Sequence, residues 1–399
     1  MRATFELEEL RSSMYDLLIK GGRVIDPAQN VDDKLDVGIT GGKITSVARD
    51  IPSSDSQRVV SAKDKIVTPG LIEMHAHIYA HVLKINVEPD SAGVKQGVTT
   101  VVDAGSSGEA IFGGFLKYII PSSSSRIFCF LNLASQGLSL TPEFRDWYAI
   151  KPNETAAAIE SNLDVIKGIK LRFVGRLVAE AGVEVVKTAK KIAKKFGLPI
   201  MVHVGDAKKE VSQTLTRKML SLLESGDILA HCYTAQFGGP INPDGTIVPE
   251  LRDAIERGVI LDAAVGRANL NYDIASKGIA QGILPMLLST DLTAMTLAGP
   301  AYGLTVTMSK FLALGLELKE IIRMTTTNPA RVLKAEDKIG SLKPGMDADV
   351  SIVEVLSGKW KLESDNEFLE TDNLMSPVLT IKSGQVIAVK PVARPLPVD

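Results

Sequence analysis

Hydrophobic positions fall into three regimes along the chain. From Tyr15 to about residue 68 they alternate with polar ones in short β-prone runs at 16–19, 22–25, 36–40 and 43–47. Gly21-Gly22 and Gly41-Gly42 stand between these runs as tight-turn signals. From about 69 to 335 the style changes. Short apolar runs at 71–77, 99–103, 126–131, 168–173, 200–204, 228–232, 259–264 and 287–290 alternate with helical stretches, of which 183–196 and 247–257 are the plainest. Near the C-terminus the first style returns at 349–353, 378–382 and 385–389, with Ser383-Gly384 as a turn.

Neither end carries enough strands for a core of its own. The economical reading pairs 14–68 with 336–399 as one small β-sandwich, with 69–335 inserted between them. Eight β units over 69–335 match the roughly 250 residues of a (β/α)8 TIM barrel. A doubly wound open sheet is the structural competitor, but it needs a topological switch point and usually fewer units. The fold class is therefore α/β. The first 13 residues read as an N-terminal extension, because the strand pattern begins abruptly after Met14. The lysines of 187–195 accompany Val185, Val186, Ala189, Ile192 and Ala193 at helical spacing, which makes them a solvated helix face.

Charge narrows the partners. Lys+Arg is 45 and Asp+Glu is 47, a formal net charge of -2. That balance gives no electrostatic reason to expect nucleic acid or an anionic membrane. Two cysteines build no disulfide framework. No apolar run reaches the roughly 18 residues of a membrane span. The first residues carry charges where a signal peptide needs an apolar stretch. A cytoplasmic enzyme with a small-molecule substrate is expected, and a homo-oligomer remains open.

The chain has five histidines, four of them in predicted barrel strands. His75 and His77 are two apart, so on a strand they share a face and can ligate one metal. His203 and His231 end the next candidate strands, and Asp291 follows 287–290 in the same way. One β/α unit is on the order of 30 residues. His203 to His231 is 28 residues, and His231 to Asp291 is 60, two units. Stepping back 33 from His203 reaches Lys170. Polar groups from several strands thus point to one mouth, where (β/α)8 active sites gather. A lysine among metal ligands makes sense when burial favours its neutral amine. Reaction with carbon dioxide then gives a carbamate, an anionic two-oxygen ligand able to bridge two divalent ions. Carbamate, Asp291 and a hydroxide would balance most of that charge. A lone strand histidine is more often simply packed, and His81 keeps that reading, as do Cys129 and Cys232 as core residues.

The run Val67-Thr68-Pro69-Gly70-Leu71-Ile72-Glu73-Met74-His75-Ala76-His77 resembles the metal-binding opening of the amidohydrolase superfamily. Thr326-Thr327-Asn328-Pro329-Ala330 and the stretch from Gly340 to Asp349 resemble the helix and return strand that follow its barrel. The resemblance implies a metal-dependent barrel with two divalent metal ions, zinc among the candidates. It implies that His75, His77 and Asp291 hold the first ion and His203 and His231 the second, with carboxylated Lys170 bridging. Asp291 is implied to move the catalytic proton. The segments 97–108, 168–172 and 201–205 resemble the deacetylase, or dihydroorotase-like, subgroup. The implied reaction is hydrolysis of an amide or ester bond in a small acidic substrate, such as an N-acyl amino acid or O-acetyl hydroxy acid. The alternatives are a cyclic-amide hydrolase (dihydroorotase- or hydantoinase-like), an isoaspartyl dipeptidase, and a non-catalytic scaffold of the same fold. The chain departs from the pattern at Glu73, where Asp is usual. Ile78-Tyr79 replaces the arginine of dihydroorotases, Thr293 a histidine, and Gly266-Arg267-Ala268 a Gly-His-Gly. Arg172 lies two residues after Lys170 and is expected to pair a substrate carboxylate. Ser106 and Ser107 are expected to donate to substrate, with turn formation as the plain alternative. Tyr79 and Tyr233 are weaker candidates.

Overall fold

The computed structural model describes residues 14–365 and 367–398, so the expected extension at 1–13 lies outside the described residues. The strands are β1 (Leu17–Asp26), β2 (Val31–Thr40), β3 (Lys43–Ala48), β4 (Val59–Ser61), β5 (Ile66–Pro69), β6 (Leu71–Ala76), β7 (Val98–Gly108), β8 (Arg126–Asn132), β9 (Ile166–Arg172), β10 (Ile200–His203), β11 (Ile228–Ala230), β12 (Ile260–Asp262), β13 (Val350–Ser364), β14 (Glu367–Lys382) and β15 (Gln385–Ala388).

Strands β6 to β12 form one parallel sheet in sequence order. They read as near-continuous apolar runs because a parallel sheet is covered on both faces. Ile169, Leu171, Ile200 and Val202 pack outward against the helices. Met201 and Phe130 belong to a separate inner cluster, and Lys170 shares that face, its Nζ 3.5 Å from Met201 Sδ. The helix Glu184–Lys194 buries Val185, Val186, Ala189, Ile192 and Ala193, with Lys187, Lys191 and Lys194 exposed, as its spacing predicts.

The eighth expected strand, 287–290, is not a regular strand. Isolated parallel bridges join Leu287 to Asp262 at one edge of the sheet and Leu292 to Ala76 at the other. Val265 N donates to Ser289 O at 3.1 Å, and His77 N donates to Leu292 O at 2.9 Å. The ladder breaks between them because Thr290 N donates to the Glu73 carboxylate, and Asp291 turns to φ 49°.

The strands of the two chain ends form a second sheet of eight, ordered β15-β14-β13-β5-β1-β2-β3 with β4 on β1. The expected sandwich is, in hydrogen bonding, this one continuous sheet. Strand β5 is the reason, since it pairs parallel with β1 and antiparallel with β13. Val24, Val37 and Ile44 share a core with Val350, Ile352 and Ile381. Gly21-Gly22 is not a turn but a bulge inside β1, pinned where Gly21 N donates to Asp36 Oδ1 at 2.7 Å. Gly41-Gly42 does turn the chain between β2 and β3, at φ 59° and 71°, both left-handed, which a two-residue primed hairpin requires.

The hairpin β13–β14 runs far beyond the 349–353 and 378–382 of the sequence reading. Trp360, Leu362 and Leu374 pack on Val306 of the helix Leu304–Ala313. Near its tip, Ser364 Oγ donates to Leu270 O and Asn271 Nδ2 to Glu367 Oε1, tying it to the segment after β12. Among the described residues no helix is long and apolar enough to cross a membrane.

Buried Asp26 joins the two ends, its Oδ2 accepting from Ser341 Oγ at 2.8 Å and Leu342 N at 2.7 Å. Asp26→Ala strands both donors and should cost about 2–4 kcal/mol. A lower midpoint in urea unfolding, less lowered in Asp26→Asn, is the expected reading.

Candidate metal centre

His75, Lys170, His203 and His231 stand at the C-terminal ends of the inner strands or just past them, His77 follows β6 by one residue, and Asp291 lies between the isolated bridges of Leu287 and Leu292. His75 Nε2 and His77 Nε2 approach Asp291 Oδ1 at 3.5 Å and 3.1 Å. The rings of His203 and His231 have centroids 4.3 Å apart, and those of His75 and His231 5.2 Å. The tightest grouping of ligand atoms takes His75, His231 and Asp291, one ring from each expected pair, within 4.8 Å of one another. His231 and Asp291 both adopt left-handed backbone, φ 65° and 49°, and Ala264 beside them φ 37°. For residues other than glycine this is strain, concentrated where the side chains must be aimed.

Proton positions follow from the partners. His231 Nδ1 faces the Ala264 carbonyl at 2.7 Å, so that nitrogen carries the hydrogen. His231 Nε2 is then a buried lone pair, and it has no hydrogen-bond partner among the described residues. Lys170 Nζ lies 2.9 Å from His75 Nε2 and donates to it, leaving His75 Nδ1 toward Asp262 Oδ2 at 3.4 Å. Burial holds His231 down to about 3, with Asp291 partly opposing. Burial likewise keeps His75 and His203 well below the usual imidazole range. Burial also brings Lys170 down to about 8. At Asp291 burial pushes upward, but His75 and His77 outweigh it and hold the carboxyl well below its usual range. Neutral imidazoles with an orphaned lone pair, a carboxylate and a lysine near neutrality make a donor set that fits a divalent cation.

Behind these groups are acids that the sequence reading missed or only touched. Buried Glu73, pushed up to about 8 by burial, accepts from His75 N at 2.9 Å and Thr290 N at 3.1 Å, so it sits one step behind the ligands. Asp103 receives Ser106 N and Ile78 N. Asp262, raised to about 6 by burial, receives Ser289 Oγ at 2.6 Å and faces His75. A carboxylate inside the apolar run 259–264 was the signal for it. Asn269 Nδ2 reaches Asp291 Oδ2 at 3.2 Å.

The cluster opens into a cavity of about 430 Å³ walled by Ile85, Leu138, Phe144 and Met295. A second cavity, of about 460 Å³, lies against Pro199, Asp227 and Ile260 at the opposite strand ends and holds none of these ligands. Arg172 lines the first cavity, but its Nη1 is bound by Glu143 Oε2 at 2.9 Å. Ser106 and Ser107 are fully buried, and their hydroxyls are occupied by His77 Nδ1 (3.0 Å) and Gly108 O (3.0 Å). The geometry thus pairs Ser106 with a histidine. Tyr79 and Tyr233 donate to the backbone at Ile111 and Ile283. His81 is exposed and pairs with Glu88, while Cys129 and Cys232 are buried and free.

Residues 66–387 match the Amidohydrolase family. The chain belongs to the amidohydrolase family. A deacetylase of Agrobacterium fabrum is 34% identical, over 87% of this amidohydrolase and 85% of its own length. A deacetylase of Brucella anthropi is 32% identical, over 87% and 86%. Among solved structures, an adenine deaminase superposes with TM-score 0.85 at 28% identity, covering 94% of this chain and 100% of its own. A dihydroorotase superposes with TM-score 0.83 at 30% identity, covering 94% and 99%. The protein is accordingly a hydrolase acting on C–N bonds, and its parallel sheet is of the amidohydrolase type.

If Ser106 aims His77, Ser106→Ala should weaken divalent-metal binding by roughly 10-fold. Chelator competition measures it. Unchanged metal affinity with a raised KM would instead return the serine to substrate contact.

Proposed function

We propose that this amidohydrolase removes an acyl group from a small anionic substrate, with an N-acyl amino acid as the leading class and an O-acetyl hydroxy acid as the ester counterpart. The observation that carries it is the convergence of His75, His77, Lys170, His203 and Asp291 at one cavity, with His231 packed against the His75 and His203 rings. The deacetylase relatives support the acyl group. In this reading 69–335 closes into an eight-unit barrel, for which the two bridges of Leu287 and Leu292 speak. The two ends, 14–68 and 336–399, make the accessory unit. A cytoplasmic site of action is part of the same proposal.

His75, His77 and Asp291 would hold one divalent ion, and His203 and His231 a second, with zinc the leading candidate. Such ions supply polarisation of the scissile carbonyl and activation of water at neutral pH. Lys170 enters as an amine. Its neutral Nζ would add to carbon dioxide and lose one proton, and the resulting carbamate would supply an anionic oxygen ligand beside the histidines. Ionised Asp291 accepts a proton from the attacking water and returns it to the leaving nitrogen. Glu73, Asp103 and Asp262 hold the surrounding backbone and rings, so the ligands are aimed before substrate arrives. The dihydroorotase structure favours a cyclic-amide hydrolase as the second reading, against which Tyr79 stands buried in place of the arginine such enzymes present.

Metal content should be about two ions per chain after reconstitution with zinc and bicarbonate, and acyl amino acids should be hydrolysed faster than hydantoins or β-aspartyl dipeptides. One ion per chain would remove the bridging role of Lys170. The neutral amine grows about tenfold per pH unit below the lysine pKa of about 8. Bicarbonate-dependent activation should therefore be slower at pH 6.5 than at pH 8.5. Lys170→Ala should fold but lose activity, with partial recovery in a short-chain carboxylic acid.

A further inference from the structure

Charge bookkeeping inside the cavity singles out one residue. Three carboxylates line it, and each is already engaged. Asp206 accepts from Gly175 N, Lys208 N, Glu210 N and Val211 N. Glu143 is buried between Asn132 Nδ2 (2.8 Å) and Arg172 Nη1 (2.9 Å). Asp291 faces the histidines and Asn269. Of the cations, Lys170 is turned to His75 and Arg172 is neutralised by Glu143. The side chains of Arg267 and Lys208 line the same cavity, are exposed, and enter no hydrogen bond or ion pair among the described residues. The charged side chains of the lining that have no polar partner among the described residues are thus both cations.

Backbone geometry brings Arg267 close to the reacting end. Gly266 N donates to Thr290 O at 2.8 Å, and a Cβ on Gly266 would stand 2.7 Å from Asp291 Oδ2. Only glycine fits there, at φ 55°. Arg267 therefore springs from a backbone held against the carboxylate of the centre, with its long side chain free to reach across the opening. Its planar fork suits a carboxylate bound through two parallel hydrogen bonds.

We propose that Arg267, not Arg172, is the specificity-determining residue of this amidohydrolase. Its guanidinium receives the carboxylate at the end of the substrate away from the scissile bond, and Lys208 adds to the positive field. The apolar walls at Ile85, Leu138, Phe144 and Met295 then take an apolar side group. The substrate class is an acylated acid with an apolar substituent. This rests on the deacylation reading above and deepens it.

The test compares N-acetyl-phenylalanine, both enantiomers, with N-acetyl-phenylalaninamide on the metal-loaded enzyme. The two differ only at the far end, a carboxylate in one and a neutral carboxamide of the same shape in the other. Wild type should prefer the acid. In Arg267→Met, kcat/KM for the acid should fall roughly 10- to 100-fold, chiefly through KM, so that the preference for acid over amide collapses. Arg267→Lys should restore part of it. Equal losses on acid and amide, or no loss on either, overturn the proposal. If wild type hydrolyses neither compound, the deacylation reading fails, and calorimetric binding decides the present one. Tighter binding of the acid that is lost in Arg267→Met keeps Arg267 as the anion anchor; equal binding removes it.

Discussion

Lys170 brings an amine to the inner face of a parallel sheet, where only 1% of its surface meets solvent. Desolvation penalises the charged form there and draws the group toward neutrality. The same burial depresses His75, His203 and His231. Each neutral ring has one N–H to give, and those of His231 and His203 are directed at the backbone carbonyls of Ala264 and Gly205. The result is the stranded lone pair of His231 and the single Lys170 to His75 contact. Asp291 answers with the opposite sign, ionised because the surrounding rings outweigh its own burial. The centre is therefore held together by the sheet and the carboxylates behind it rather than by its own bonds. That arrangement suits groups whose real partner is a cation.

The elements around the cavity transmit position inward. The tip of the β13–β14 hairpin holds Leu270, Asn271 and Tyr272 by side-chain and backbone bonds. Those residues adjoin Asn269, which touches Asp291. On the other side, Glu143 straps the 137–150 loop to Asn132 and Arg172 on two inner strands. Both routes end at a group lining the cavity, so the far sheet and the outer loop share in shaping it. The buried Lys310 adds a tie of its own to the hairpin, donating to Pro300 O and to Glu363 O.

Periodicity and spacing made the inner strands legible because a buried parallel strand leaves few alternatives to Val, Ile, Leu and Met. The ligand positions were legible because a polar residue ending such a run is conspicuous. What stayed hidden has physical causes. The 287–290 run reads as a strand, yet Glu73 takes Thr290 N out of the ladder, and no local pattern reveals a bond to a residue 217 positions away. The outer part of the hairpin is half exposed, so Trp360 and Leu362 alternate with charged residues and look like loop until the helix Leu304–Ala313 supplies their partner. Gly21-Gly22 carries a turn signature that a bulge shares. Arg172 faces the cavity as its spacing implies, but pairing is a property of the fold, and Glu143, 29 residues away in sequence, had no local mark.

Strand β5 leads through Gly70 directly into β6, the strand that carries His75. Its other ladder, to β13, joins Val67 to Ile352, 285 positions later. At a synthesis rate of about 5–20 residues per second, roughly 15–60 s separate the two partners on the ribosome. Through that interval β5 has β1 on one side and an open edge on the other, a template for any strand that passes. The inserted middle of the chain must therefore fold while its own anchor is half built. Any nascent chain that stops before β13 keeps that edge, which makes the last eighth of the protein its safeguard against association as well as part of its architecture.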